Sequence, residues 1–471
     1  MKAFVDALLS FERWVNGVVW GIPAMILILG TGVYLTVRCG CPQFARFGHI
    51  MKNTLGKALK KEDVGKGTVS PFKAMCTALA ASIGTGNIAG VSGAIAIGGP
   101  GAVFWMWISA LLGMCTKFAE VVLAIVYRKR NEKGDWVGGP MYYIRDGLGK
   151  KFGWLAVIFA VFGGLASFGI GNLTQINTIA STVNTAIGGF VPLSDQQQKL
   201  IAIIIGALGA VICFTVLIGG INRIADVCAL LVPFMAVVYV IASLIVIFLN
   251  ITHIPEVFAA IFKGAFQPAS VAGGLAGVGI KTAITKGVGR GIFSNEAGLG
   301  SAPIAHAAAD VDHPVKQGMF GVFEVFMDTI VVCTMTALVV LLGVGVQNIG
   351  YGNDIGANLT IQGFTSVFGG RLPAVIVAVC LTLFAFSTVL TWALYGTRCF
   401  EFLFGPKTVR VYQIIFCLML IPGAVTKMQV AWDVADTLNG LMALPNLVAL
   451  LILSPVVIKY TKDYFSQLKK K

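Results

Sequence analysis

The chain has 471 residues, 57% of them hydrophobic and only 12% charged, with a formal net charge of +14 and a mean hydropathy of +0.85. A soluble domain carries about 25% charged residues, so this composition excludes one and describes a polytopic helical membrane protein. The basic excess then belongs to loops at one membrane face rather than to a nucleic-acid surface. The ten cysteines are too scattered for a disulfide framework or a metal knuckle, and no nucleophile elbow, phosphate loop or HExxH motif offers an enzyme's constellation.

Apolar runs of about 20 residues, the length a hydrocarbon core of about 30 Å requires, predict eleven spans. They lie near 15–37, 72–98, 101–127, 154–187, 199–220, 226–249, 268–285, 317–346, 372–400, 409–426 and 433–458. The N-terminus lacks a cleavable-signal pattern, so the first span is expected to stay. With the N-terminus outside and the C-terminus cytoplasmic, the inner loops and tail hold 28 of the 35 Lys and Arg; six fall outside, and Lys117 lies within a span. That asymmetry is the positive-inside pattern.

Span 2 is interrupted. Within ALAASIGTGNIAGVSG, Gly84, Gly86 and Gly90 surround Thr85 and Asn87 at mid-span, which predicts a locally unwound helix whose freed backbone groups can bind a ligand. The GxxxG spacing of Gly86 and Gly90 serves close helix packing equally well. Span 7 carries Gly273, Gly274, Gly277 and Gly279 and runs opposite to span 2, five spans later. Two Gly-interrupted spans so placed predict inverted five-helix repeats around one site. The expected divisions are an accessory helix with a basic loop over 1–70, repeats over 71–250 and 265–460, and a basic tail over 461–471.

Polar groups inside spans are costly and point to function. Asn87 can coordinate a cation or donate to a carboxylate, or simply join two helices. In span 4, Asn172, Thr174, Gln175 and Asn177 lie near mid-membrane, and Gln175 is placed to bond a small polar substrate or a neighbouring helix. In span 9 the hydroxyls of Ser387 and Thr388, with backbone carbonyls, suit a small alkali cation, although such hydroxyls also bond back to their own helix. Trp392 lies one turn on, as pocket wall or packing. Glu324 and Asp328 share a helix face and suit a proton relay or pairing with Lys117 or loop arginines. The stretch from Lys286 to Pro314 is too polar and Gly-rich for a span, and Ser294–Ala309 reads as an amphipathic helix at the inner mouth. His306 and His313 lack a third ligand, so no metal site is expected.

Three segments, ALAASIGTGNIAGVSGAIAIGGPGA, GVGRGIFSNEAGLGSAPIAHAAA and FAFSTVLTWALYG, closely resemble the alanine or glycine:cation symporter family over nearly the whole chain. The resemblance implies an all-α membrane protein of the leucine-transporter fold, with one added N-terminal helix before a 5+5 core, in the plasma membrane of a prokaryote. It implies sodium-driven uptake of small neutral amino acids, chiefly alanine and glycine. By motif, Thr85, Gly86 and Asn87 would hold the substrate carboxylate. Carbonyls around Ala81 and Ser82, and from Ala272 through Gly273 to Gly274, would meet its ammonium. Gln175, Leu275, Thr388 and Trp392 would shape the pocket. Sodium would use the carbonyls of Ala80, Ile83 and Phe384 and the hydroxyls of Ser387 and Thr388. The chain departs from many relatives by having Thr391 and Ala393 where they have Gly and Ser. Span 6 contains no Lys or Arg to replace sodium, which favours sodium over a proton.

The expectation is therefore a secondary active symporter, not an enzyme, working by alternating access in a lipid bilayer, with sodium co-transported and no nucleic-acid or protein partner. Its rivals are a proton-coupled amino-acid transporter, a passive channel and a non-transporting sensor.

Overall fold

The computed structural model describes residues 14–57, 67–267, 279–352, 356–426 and 428–468, with Ser10 and Gly65; side chains at 428–434 are outside the description. The described chain is helical apart from one hairpin, β1 (Lys129–Arg130) with β2 (Trp136–Val137). Its principal helices are α1 (Trp14–Arg38), α2 (Pro71–Ser82), α3 (Gly86–Gly98), α4 (Gly101–Val126), α5 (Lys150–Gly188), α6 (Asp195–Ile218) and α7 (Gly220–Leu249). They continue with α8 (Ile254–Phe266), α9 (Ile280–Asn295), α10 (Ala302–His306), α11 (Pro314–Asn348), α12 (Ala357–Phe368), α13 (Leu372–Phe404), α14 (Pro406–Val425) and α15 (Met428–Leu468). Among the described residues nine helices are long and apolar enough to span a membrane, and the bent pair α2–α3 makes up to ten.

Burial divides these helices into two groups. α4 is buried along 83% of its most apolar stretch, whereas α6 and α7 are buried along 39% and 33% and present Leu208, Val211, Leu230 and Phe234 outward. Outward apolar side chains on a continuous hydrophobic helix are what lipid contact requires. The inner helices approach closely through glycine: a Cβ on Gly101 would fall 2.1 Å from the Gly264 backbone, and one on Gly171 would fall 2.0 Å from Trp392 Cβ. Contact made through glycine is the usual means of bringing membrane helices together.

The predicted interruption of span 2 is present. α2 ends at Ser82, the chain bends by 49°, and a π-helical turn over Gly86–Gly90 begins α3. Span 7 needs correction. Residues 268–278, which include Ala272, Gly273, Gly274 and Leu275, lie outside the described residues. The stretch read as an inner loop is instead a pair of half-helices, α9 and α10, separated at Glu296–Ser301 and buried from Gly291 onward. Ser294–Ala309 is therefore not an amphipathic helix at the mouth, because every residue from Gly291 to Ala309 is buried. Hydropathy missed this because the polar groups of the segment are satisfied by protein rather than by water.

At one end, Val69 bridges to the α10 side: its N–H donates to the Ala308 carbonyl (3.0 Å), and its own carbonyl accepts from Asp310 N–H (2.8 Å). Arg128 donates to the carbonyls of Ala307 (3.2 Å) and Ala309 and stacks 4.4 Å over Trp136. The opposite end has a cavity of about 540 Å³ lined by α1 residues from Asn16 to Met25, by Lys281, Lys286 and Arg290 of α9, and by Asp436.

Candidate functional site

Two helix breaks and three polar clusters meet in the buried centre. At the first break, Ile83 still donates its N–H to Leu79 O (2.7 Å), but its ψ of 89° turns the following carbonyl out of the helical ladder. α13 packs against this point. Thr388 Oγ1 lies 2.8 Å from Ala80 O, 3.4 Å from Ala81 O and 3.0 Å from Phe384 O, and Ser387 Oγ lies 2.9 Å from Phe384 O and 3.4 Å from Ala80 O. All five residues are buried. Five neutral oxygens from two helices thus converge, and hydroxyls that now donate to carbonyls can turn their lone pairs toward a cation. Neutral, hard oxygens suit an alkali ion, and the Ala80 and Ala81 carbonyls sit at the C-terminus of α2, the negative end of its dipole.

A substrate-sized set of groups lies beside them. A Cβ at Gly84 would fall 2.6 Å from Thr388 Oγ1 and 3.4 Å from Gln175 Oε1, so only glycine lets these two side chains converge there. Gln175 Oε1 and Thr85 Oγ1 are buried without a hydrogen-bond partner, while Gln175 Nε2 donates to Ile170 O (2.9 Å). Orphaned buried oxygens are costly, and an ammonium or hydroxyl donor would satisfy them. The N-terminus of α3 presents Gly86 and its neighbours with amides free of an intrahelical acceptor, the arrangement that holds a carboxylate.

Asn87 is engaged at both ends. Its Oδ1 accepts from Gly84 N–H (2.8 Å), and its Nδ2 donates to Asp328 Oδ1 (2.7 Å). Asp328 also receives Ser294 Oγ (2.9 Å) and Thr329 Oγ1 (2.7 Å), with no cation at ion-pair distance among the described residues. The expected alternatives for Glu324 and Asp328 therefore separate: Glu324 takes Lys117 at 3.2 Å, His306 Nε2 at 3.0 Å and Ser82 Oγ at 2.9 Å, all buried. Trp392 faces the second break rather than Thr388, its indole donating to Glu296 Oε1 (3.0 Å). Thr391 points to Thr77 O (3.0 Å) and ties α13 to α2.

Glu296 was missed by sequence reasoning, which reached Glu120 only as an acid lying within or near a span. Glu296, in the left-handed region at φ 55°, accepts from Ser301 Oγ (2.6 Å) as well as Trp392 and so fixes the second break. Glu120 accepts from Gly300 N–H (3.1 Å) and Asn446 Nδ2 (2.5 Å). The signal available was the acid beside paired glycines in SNEAGLGS, where Gly298 and Gly300 take φ of 92° and 81°. Among the described residues no group of three His, Cys, Asp or Glu could hold a metal.

The sequence profile described as the sodium:alanine symporter family matches residues 5–471. The sodium/alanine symporter AgcS of Methanococcus maripaludis is 44% identical over 466 residues, covering 98% of each chain. The probable sodium/glutamine symporter GlnT of Bacillus subtilis is 39% identical over 456 residues, covering 96% of this chain and 90% of its own. Among solved structures, MhsT in complex with L-phenylalanine superposes with a TM-score of 0.59 at 14% identity, covering 84% of this chain and 99% of that one. The structural likeness is one of fold, the leucine-transporter fold.

Proposed function

The chain belongs to the sodium:alanine symporter family, and we propose that it imports small neutral amino acids, alanine and glycine first, together with sodium by alternating access. Membership makes it a sodium-coupled amino-acid transporter of a prokaryotic plasma membrane rather than an enzyme, with sodium as co-transported ion. In our reading the span count is eleven: one accessory helix, α1, then two inverted five-helix repeats opening at α2–α3 and at α9–α10. The N-terminus is outside and the C-terminus cytoplasmic.

Sodium sits between α2 and α13, on the carbonyls of Ala80, Ile83 and Phe384 and the hydroxyls of Ser387 and Thr388. The amino-acid carboxylate takes the amides at Thr85, Gly86 and Asn87. Its ammonium meets carbonyls at Ala81 and Ser82 and in the Ala272–Gly274 stretch, and Gln175, Leu275, Thr388 and Trp392 bound its side chain. The observation that carries this reading is the meeting of Ser387 and Thr388 with the carbonyls of Ala80, Ala81 and Phe384 across two separate helices. An ion there joins helices that must part for release, so its differential affinity for the two states couples its gradient to transport.

The test is uptake of labelled alanine and glycine into liposomes, with sodium and proton gradients imposed separately. Saturable uptake requiring inward sodium supports the reading. Uptake driven by protons alone would keep the fold and remove the sodium assignment, and binding without accumulation would point to a sensor.

A further inference from the structure

His306 closes α10 in the buried centre, and its two ring nitrogens have different partners. Nε2 faces Glu324 Oε2 at 3.0 Å, and Nδ1 faces Gln317 Nε2 at 2.7 Å. Gln317 Nε2 also lies 3.3 Å from the carbonyl of Pro71, the first residue of α2, which identifies that atom as the amide nitrogen. Nδ1 is therefore an acceptor, Nε2 carries the hydrogen, and the imidazole is neutral. The other end of the same amide, Gln317 Oε1, is buried and has no partner.

That orphaned oxygen is what a second proton on His306 requires. An imidazolium has two donors, so Nδ1–H would need an acceptor where a donor now sits. A half-turn of the Gln317 amide supplies Oε1 in place of Nε2, satisfies both, and removes the hydrogen bond to Pro71. α2 is tied to α11 at its two ends, by Gln317 at Pro71 and by Glu324 at Ser82 (2.9 Å). Protonation thus releases one of the two ties on the half-helix whose Ala80 and Ala81 carbonyls meet Thr388.

Charged and titratable groups reach the neighbourhood of the imidazole from the elements packed around it. From α4 come Lys117, paired with Glu324, and Glu120; from the second break, Glu296; from α11, Glu324, Asp328 and exposed Lys316, which is paired with Asp312. α2 carries only Lys73, paired with Asp226, and α13 offers Tyr395 and Arg398, the latter paired with Glu401. Arg128 is held on the Ala307 and Ala309 carbonyls, and Asp310 on Gly65 N–H (2.9 Å).

We propose that His306 is a proton-binding switch on the inner half of the transport site. Proton uptake turns Gln317, frees the start of α2 from α11, and opposes sodium binding near Ser82 by charge repulsion. Only the last consequence rests on the sodium reading.

The full chain in lipid nanodiscs, labelled at histidine ring carbons and carrying His49→Gln, His253→Gln and His313→Gln, leaves His306 as the one remaining histidine. Its NMR signal is expected to report the Nε2–H tautomer at high pH and a ring protonated at both nitrogens at low pH. Gln317→Met removes the acceptor and should lower the midpoint by about one pH unit, a tenfold change in proton affinity; Gln317→Glu should raise it. No titration between about pH 5 and pH 8, or an unmoved midpoint in Gln317→Met, overturns the switch, whichever ion drives transport. In proteoliposomes, lowering the lumenal pH should raise the half-saturating sodium concentration about fivefold or more, and His306→Gln should abolish that dependence. Titration without any such effect in a sodium-driven protein overturns the linkage; uptake indifferent to sodium overturns the proposed function and leaves the NMR result standing.

Discussion

Thr388 is the most heavily engaged hydroxyl at the first break, with three carbonyls within 3.4 Å. Replacing it by Val keeps the volume and removes the oxygen, which at about 1.4 kcal/mol for one ligand predicts a tenfold rise in the sodium concentration for half-maximal uptake. Thr388→Ser restores the oxygen and should stay near wild type; equal behaviour of the two variants would take Thr388 out of the cation site. Glu324 poses the opposite problem, a charge whose partner is buried with it. Glu324→Gln leaves Lys117 unpaired at zero exposure, and breaking such a pair costs about 3–5 kcal/mol, so a large fall in thermal stability is expected in a detergent melt. An unchanged melt would mean that the Lys117–Glu324 pair adds nothing to the folded state. Residue types alone pointed to Ser387, Thr388 and Gln175, because hydroxyls and amides are rare at that depth. They did not show that both ends of Asn87 are occupied by Gly84 and Asp328, which only the geometry of the break reveals.

The two broken helices differed in legibility for a physical reason. In α2–α3 the break is short and apolar residues flank it closely, so the span remained visible around Gly84 and Gly86. In α9–α10 the break carries Glu296 and follows Lys281, Lys286 and Arg290, and the sum reads as polar although Trp392 and Ser301 satisfy the acid. A polar half-helix looks like a loop when its partners lie on other elements. The first break can be tested by Gly84→Ala: the methyl would fall 2.6 Å from Thr388 Oγ1, so sodium-dependent uptake should be lost while the protein stays folded. Retained uptake would mean that Thr388 can move away without consequence. At the second break Gly300→Ala meets both a φ of 81° and Asn446 at 2.9 Å, and strain of about 1–3 kcal/mol is expected to appear as a lower melting temperature.

At the scale of the molecule, the corrected second break alters the charge count that set the orientation. Lys281, Lys286 and Arg290 line the cavity beside α1, and in the proposed orientation they move to the outer face, leaving 28 less these three, 25 of 35, on the inner one. The positive-inside argument survives with a smaller margin. α1 itself is latched over this cavity: Trp20 Nε1 donates to Asp436 O (2.8 Å), Asn16 Nδ2 to Thr437 Oγ1 (2.9 Å), and Arg290 lies 3.6 Å from Asp436. The helix predicted as an accessory is thus fastened beside the Lys281–Arg290 stretch of α9, through groups the sequence scatters over more than 400 positions. Orientation can be settled by labelling. Eight of the ten cysteines are buried, so a background with Cys39→Ser and Cys41→Ser should react little with a membrane-impermeant maleimide. A cysteine at Lys281 should then be labelled from outside intact cells, and one at exposed Lys407 only after the membrane is opened. The reverse pattern would invert the topology, carry the α1 cavity to the cytoplasm, and place His306 and the Val69–Ala309 closure on the outer half of the transport path.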